Sequence, residues 1–167
     1  MEKPKNALHI SEEKDGKSVA VAGNSYRTII SGKQTGGTYA VIDMLVPPGG
    51  GPGPHEHPYI NETFFVLEGE VEFTSQDQKY TAKKGTHINI PFNGPVHMFK
   101  NKSGAVARLL CTVMPAGMEE MFEEIGKPVA NGEFLPPQPP PTKEQMENLK
   151  FVLEKYGQTM YPPDYLD

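Results

Sequence analysis

The sequence predicts an all-β domain followed by two helices. Short apolar runs rich in β-branched and aromatic residues recur up to residue 114, and turn signals separate them at intervals of about eight to twelve residues. The chain has 17 glycines and 17 prolines, and most of them lie between these runs, as expected for the turns of a barrel or sandwich. Beyond residue 114 the apolar residues recur at helical spacing.

The predicted strands are short and follow one another closely. Gly23 and Asn24 form a predicted turn between the first two, and a Pro/Gly run over residues 47–54 predicts a stiff loop. The strands cover residues 19–22, 26–30, 38–46, 63–67, 70–74, 79–82, 86–90, 97–101 and 106–113.

Two helices are predicted after the strands. In the first, residues 115–125, apolar residues recur at helical spacing and Gly126 ends the helix. We expect it to pack on the outer sheet, with a lid across the barrel mouth as the alternative. The second begins with the capping box Thr142-Lys-Glu-Gln145, ends at Gly157, and has an apolar face that fits the barrel or a second subunit.

Histidines cluster at two places in the predicted barrel. His55 and His57 are two residues apart, so on a strand they project from the same face. Together with Glu62 and His97 they are interpreted as four ligands of one metal ion, because imidazoles and a carboxylate suit divalent transition metals. The identity of the metal, Fe, Mn, Ni, Co, Cu or Zn, stays open.

The spacing of these residues resembles the paired motifs of the cupin superfamily. The first motif is complete, with Gly49, His55, His57, Glu62 and Gly69 at the family's intervals.

The second motif has one departure from the family pattern. Pro91, His97 and Asn101 match in order, but Pro91-Phe-Asn-Gly94 is one residue longer than usual, within a predicted turn. His87 matches no ligand position.

Other stretches are similar to single-domain cupins related to quercetin 2,3-dioxygenases. They are residues 31–37, 46–49, 65–69, 155–157 and 161–163. The resemblance implies a cupin-type jelly-roll β-barrel and a metal site formed by His55, His57, Glu62 and His97.

Strand parity predicts part of the pocket wall. If Glu62 points inward, Phe64 and Val66 share its face, and if His97 points inward, Phe99 does too. Phe65 then faces outward, as does Leu67.

Composition excludes some function classes. The net charge is −5 and no basic stripe is present, so a general nucleic-acid binder is not expected. The single cysteine, Cys111, is expected to be a buried inert thiol and fits a reducing compartment. Because no secretory signal or membrane span is apparent, a cytoplasmic location is expected.

The resemblance implies a dioxygenase acting on a small aromatic or enol, flavonol-like substrate. Glu62 then either remains a ligand or accepts the substrate's hydroxyl proton. Two alternatives stay open: a non-catalytic metal-containing cupin that binds a small molecule, and a non-redox metal-dependent isomerase or decarboxylase.

The predicted organisation is an N-terminal arm over residues 1–17, a barrel over 18–114 and a helical extension over 115–167 packed on the barrel. The expected partners are a small-molecule ligand and a second copy of the chain in a homodimer.

Overall fold

Two antiparallel sheets face each other in the computed structural model, which describes residues 7–167. The first six residues of the predicted arm lie outside this range. In chain order the strands are β1 (Ser18–Val21), β2 (Asn24–Ile30), β3 (Ala40–Val46), β4 (His55–Glu56), β5 (Asn61–Glu68), β6 (Glu70–Ser75), β7 (Lys79–Lys83), β8 (His87–Ile90), β9 (His97–Lys100), β10 (Ala107–Met114), β11 (Lys127–Val129) and β12 (Thr159–Met160).

The larger sheet has the order β11–β1–β2–β3–β10–β5–β8, and the smaller sheet has the order β12–β4–β9–β6–β7. This is the jelly-roll architecture that the sequence predicts. Every predicted strand is present, with ends that differ by at most two residues. The short strands β4, β11 and β12 were not predicted, because strands of two or three residues form through their partners rather than through a pattern of their own.

Three helices accompany the sheets in residues 7–167: α1 (Gly32–Thr35), α2 (Met118–Ile125) and α3 (Lys143–Lys155). The predicted capping box opens α3, since Gln145 N donates to Thr142 Oγ1 and Thr142 N donates to Gln145 Oε1. After α3, Gly157 adopts a φ of 78°, which a residue with a side chain rarely does. No helix in the described range combines the length and apolarity needed to cross a membrane.

The inward faces of the two sheets form one aromatic core. Phe64 of the larger sheet lies 5.3 Å from the ring centroids of both Phe73 and Phe99 of the smaller sheet. The predicted parity of β5 is confirmed: Glu62, Phe64 and Val66 are buried, whereas Phe65 is 40% exposed.

Helix α2 does not pack on the outer sheet as expected. Met118 and Met121 are buried, and they line the same interior cavity as Tyr26 and Met44 of the larger sheet. The ring centroid of Phe122 lies 4.9 Å from that of Tyr26. The reason is that the inward face of β2 and β3 leaves apolar area uncovered, and the apolar side of α2 covers it.

A buried ion-pair network fastens the N-terminal segment to the outer face of the larger sheet. Asp43 accepts two hydrogen bonds from Arg108, at 2.9 and 2.8 Å, and one from Arg27 at 3.3 Å. Arg27 also donates to the carbonyl oxygens of Glu12 and Asp15. Burial opposes the charge on Asp43, but the two guanidinium groups outweigh it and hold the pKa of Asp43 below its usual value.

We predict that Asp43→Asn lowers the free energy of unfolding by about 3 kcal/mol at pH 7, because it leaves the buried guanidinium group of Arg27 without its counter-charge and leaves the half-buried Arg108 with only the exposed Glu68. Since the folded-state pKa is depressed, the stabilisation by Asp43 is present above its unfolded pKa of about 3.9 and disappears as pH falls through the lower folded-state pKa. Chemical denaturation at several pH values measures both effects. Glu147→Gln, in an exposed pair with Lys143, is the control and should change little. An Asp43→Asn variant as stable as the parent at pH 7 would contradict the prediction.

Candidate metal centre

Both sheets contribute to one buried cluster of polar side chains. His55 on β4 is in register with His97 on β9, and Glu62 projects from β5 of the opposite sheet. His57 follows β4 directly, so the two histidines of the first motif share one face. None of these four residues is more than 5% exposed.

Backbone carbonyls orient the three imidazole rings. The Nδ1 atoms of His55 and His97 lie 2.9 Å from the carbonyl oxygens of Gly53 and Pro95, and Nδ1 of His57 lies 3.3 Å from that of Ile60. Because a carbonyl can only accept, Nδ1 carries hydrogen in each ring. Each Nε2 is therefore the atom that faces the cluster.

The two oxygens of Glu62 have different surroundings. Oε2 lies 2.9 Å from Nε2 of His57 and 3.8 Å from Nε2 of His97. Oε1 accepts a hydrogen bond from the thiol of Cys111 at 3.3 Å. One carboxylate oxygen thus faces the imidazoles while the other is held by β10.

Burial and mutual contact shift the pKa values within the cluster. Burial lowers the pKa of His55 to about 3, so this ring is neutral at ordinary pH. Burial opposes charge on Glu62 and His57 as well, but their hydrogen bond outweighs it, lowering the pKa of Glu62 and raising that of His57. Burial and the Glu62 carboxylate raise the pKa of Cys111, which keeps its thiol protonated.

The cluster fits a divalent transition metal ion. The candidate ligand atoms of His55, His57, Glu62 and His97 all lie within 4.8 Å of one another. Ligands about 2.1 Å from one ion lie at most about 4.2 Å apart, so a shift of about half an ångström would bring all four onto a single ion. Nε2 of His97 is buried and has no hydrogen-bond partner among residues 7–167. A cation bound by four ligands would satisfy that atom, and the Nδ1–H contacts are those expected to orient metal-bound histidines.

The cluster forms part of the wall of a cavity of about 410 Å³ between the sheets and the helices. His55 and Glu62 are on one side, and the helical side is formed by residues of α2, α3 and the segment after α3. Most of the lining is apolar. The apolar and aromatic side chains include Tyr26, Met44, Phe64, Phe99, Met118, Met121, Phe122, Ile125, Leu149, Leu153 and Met160.

Comparison with known proteins agrees with this architecture. The sequence profile of the Cupin domain family matches residues 42–113, which include the whole cluster. Residues 42–113 are a cupin domain. Quercetin 2,3-dioxygenase of Bacillus subtilis strain 168 is 26% identical over 131 residues, an alignment that covers 78% of this cupin and 38% of that protein. The cupin thus spans well under half the length of this relative.

Two solved structures show the same fold. A predicted oxalate decarboxylase from Thermotoga maritima superposes with a TM-score of 0.59 at 17% identity. The superposition covers 64% of this chain and 99% of the other. The polyketide cyclase RemF from Streptomyces resistomycificus superposes with a TM-score of 0.58 at 19% identity, covering 90% of this chain and 96% of that one. The second superposition extends well beyond the barrel into the helical extension.

The structure brings together His55, His57, Glu62 and His97. Of the predicted pocket residues, Phe64 and Phe99 line the cavity, whereas Val66 packs in the core away from it. The difference arises because Val66 is one inward step further along β5 from the cluster than Phe64.

Two other motif residues have structural roles. Asn101 is fully buried and donates to the carbonyl oxygens of Val46 and Ala105. The longer loop of the second motif turns at Asn93, which has a φ of 52° and donates its backbone N–H to Pro58 O. The extra residue therefore changes the turn and leaves His97 in the cluster.

Several residues of the site were missed by sequence reasoning. Cys111, expected to be inert, contacts Glu62, because β10 lies beside β5 and Cys111 is in register with Phe64. Tyr26 and Gln158 line the cavity from opposite ends of the chain. Inward parity was a usable signal for Tyr26 and Cys111, but no local pattern identifies Gln158.

We predict that His57→Ala lowers the affinity for a divalent metal at least about tenfold, because it removes one imidazole from the cluster. The barrel should still fold, since its stability comes mainly from apolar burial. Metal content after dialysis, with circular dichroism to check folding, measures the effect. His87→Ala is the control, because His87 is exposed and outside the cluster. Full metal occupancy in folded His57→Ala would show that the ligand set is wrong.

Proposed function

We propose that this cupin is a metal-dependent dioxygenase acting on a small aromatic or enolisable, flavonol-like substrate. The observation that carries the proposal is the contact between the four-residue cluster and a mostly apolar cavity of about 410 Å³. A cavity of this size accommodates a small planar molecule, and a few polar groups in an apolar wall would orient it.

His55, His57, Glu62 and His97 would hold the metal ion. When bound, the ion supplies Lewis acidity toward a substrate oxygen and, if it is redox-active, electron exchange with O₂. Three neutral imidazoles and one carboxylate leave a divalent ion with a net positive charge, which favours binding of an enolate oxygen.

Glu62 is proposed to swing away from the other candidate ligands and accept the hydroxyl proton of the substrate. The movement is needed because burial opposes its charge but its contacts with His57 and His97 outweigh this, and so lower its pKa and its basicity. It is the one carboxylate among the described residues that line the cavity, and the thiol of Cys111 holds its Oε1. Proton transfer to a positioned carboxylate converts the enol into the enolate, the form that reacts with O₂.

The rest of the cavity supports this chemistry by binding the ring and limiting access of water. Phe64 and Phe99 offer aromatic faces next to the cluster. Met118 and Met121 of α2 form the opposite part of the lining, and methionine side chains adapt to ligands of different outline.

We predict that the metal-loaded protein consumes O₂ in the presence of a flavonol and that Glu62→Gln lowers kcat about 100-fold or more by removing the proton acceptor. An oxygen electrode with product analysis measures the rate. Glu68→Gln is the control, because the side chain of Glu68 is 66% exposed on the same strand.

The alternative functions give different results in the same experiment. Turnover that needs metal but no O₂ would replace the dioxygenase proposal with a non-redox isomerase or decarboxylase. An increase in melting temperature with the flavonol and no product would indicate a binding protein.

The outer face of the larger sheet is the proposed interface of a homodimer. Phe65 is 40% exposed there, and its neighbour across the strand pair, Leu110, is half-buried, as is Leu67. Two copies related by a two-fold axis would cover the same apolar face on both.

Light scattering after size-exclusion chromatography should report about twice the chain mass of 18.4 kDa. Phe65→Glu should give a monomer, because it places charge in the apolar contact. Phe92→Glu changes an exposed phenylalanine elsewhere and should leave the dimer intact. A parent protein of 18.4 kDa at micromolar concentration would contradict the dimer.

A further inference from the structure

The strand that carries the first histidine is very short. Strand β4 contains only His55 and Glu56, and it pairs with β9 at one register position, His55 opposite His97. Its other edge pairs with β12, where Met160 lies opposite His55 and Thr159 lies opposite Glu56. The segment after α3 therefore completes the sheet at the metal-binding strand.

Tyr161 adds two contacts to this pairing. Its backbone N–H donates to the carbonyl oxygen of Pro54 at 2.9 Å, and its hydroxyl donates to Oε1 of Glu56 at 2.7 Å. The ring is held in turn by Tyr165, whose ring centroid is 4.5 Å away. Tyr161 thus contacts the residues on both sides of His55.

Glu56 lies between the two histidines of the first motif and points away from them. Alternation along the strand places its side chain on the face opposite His55 and His57. A hydrogen bond from Tyr161 to Glu56 can therefore fix the backbone of the motif without entering the cluster.

The same segment also forms part of the cavity wall. Gln158 and Met160 line the cavity beside Leu153 of α3, and the backbone N–H of Gln158 donates to the carbonyl oxygen of Leu153. The chain between α3 and Tyr161 consequently contacts the cavity on one side and the metal-binding strand on the other.

We propose that Tyr161 is a positioning residue of the metal centre, acting through its hydroxyl contact with Glu56. Ligand atoms must be held to within about 0.5 Å for tight metal binding, and a two-residue strand has too few hydrogen bonds of its own to do this. Tyr161 and β12 supply the missing restraint on His55 and His57. The expected effect of Tyr161 on metal retention rests on the proposed function. Its restraint on strand β4 does not depend on that function.

The first test is the rate at which the loaded protein releases its metal to a chelator in excess. Tyr161→Phe should release it about tenfold faster, the scale expected for the loss of one hydrogen bond to a charged acceptor. Glu56→Ala should behave likewise. Glu56→Gln keeps an acceptor oxygen without the charge and should therefore release the metal more slowly than Glu56→Ala, which distinguishes the hydrogen bond from a general effect of charge.

Tyr165→Phe is the matched control. It removes a hydroxyl from the same segment but keeps the ring against Tyr161, so the parent rate is expected. Thermal melting of each variant checks that the barrel is intact.

The second test needs no metal. Hydrogen–deuterium exchange of peptides covering residues 54–57 should be faster in Tyr161→Phe than in the parent, with exchange in β3 and β10 unchanged. Unchanged exchange over residues 54–57 would overturn the inference, and so would a parent rate of metal release from loaded Tyr161→Phe. A parent protein that binds no metal would refute the proposed function alone, and the exchange experiment would still decide the role of Tyr161.

Discussion

The structure depends on a buried cluster in which a carboxylate from one sheet lies against three imidazoles from the other. Glu62 projects from the larger sheet, and His55, His57 and His97 are carried by or adjoin the smaller one. Four polar side chains buried at one point are costly unless each has a partner. The partners are Glu62 itself, the carbonyls behind each ring and the thiol of Cys111. Nε2 of His97 has no hydrogen-bond partner in the described part of the chain, which suits a metal ion.

This arrangement sets limits on the packing around it. The aromatic core of Phe64, Phe73 and Phe99 fills the space beside the cluster, while the cavity takes up the space toward α2 and α3. The interior is otherwise close-packed, and the cavity is present because α2 and α3 of the helical extension line the space between the sheets without filling it. The extension is thus part of the site, since a barrel without it would open the cluster to water.

The ends of the chain perform different tasks on opposite faces of the barrel. Residues 12–17 run over the outer face of the larger sheet, where Arg27 binds the carbonyls of Glu12 and Asp15. The segment after α3 instead joins the smaller sheet at β4 and reaches the cavity through Gln158. The first contact stabilises the fold, whereas the second lies next to the candidate metal ligands.

The sequence by itself determined every strand except β4, β11 and β12, the two longer helices and the side of β5 that faces inward, because alternation and helical spacing are local properties. It also identified His55, His57, Glu62 and His97 as candidate metal ligands, because their spacing resembles a family motif. Only the tertiary structure decided that α2 lines the cavity, that Cys111 contacts Glu62 and that β12 pairs with β4. Those three features depend on which strands become neighbours, and neighbours such as β4 and β12 are separated by about a hundred residues along the chain. No periodicity in either segment encodes that pairing, since a two-residue strand has no pattern apart from its partner.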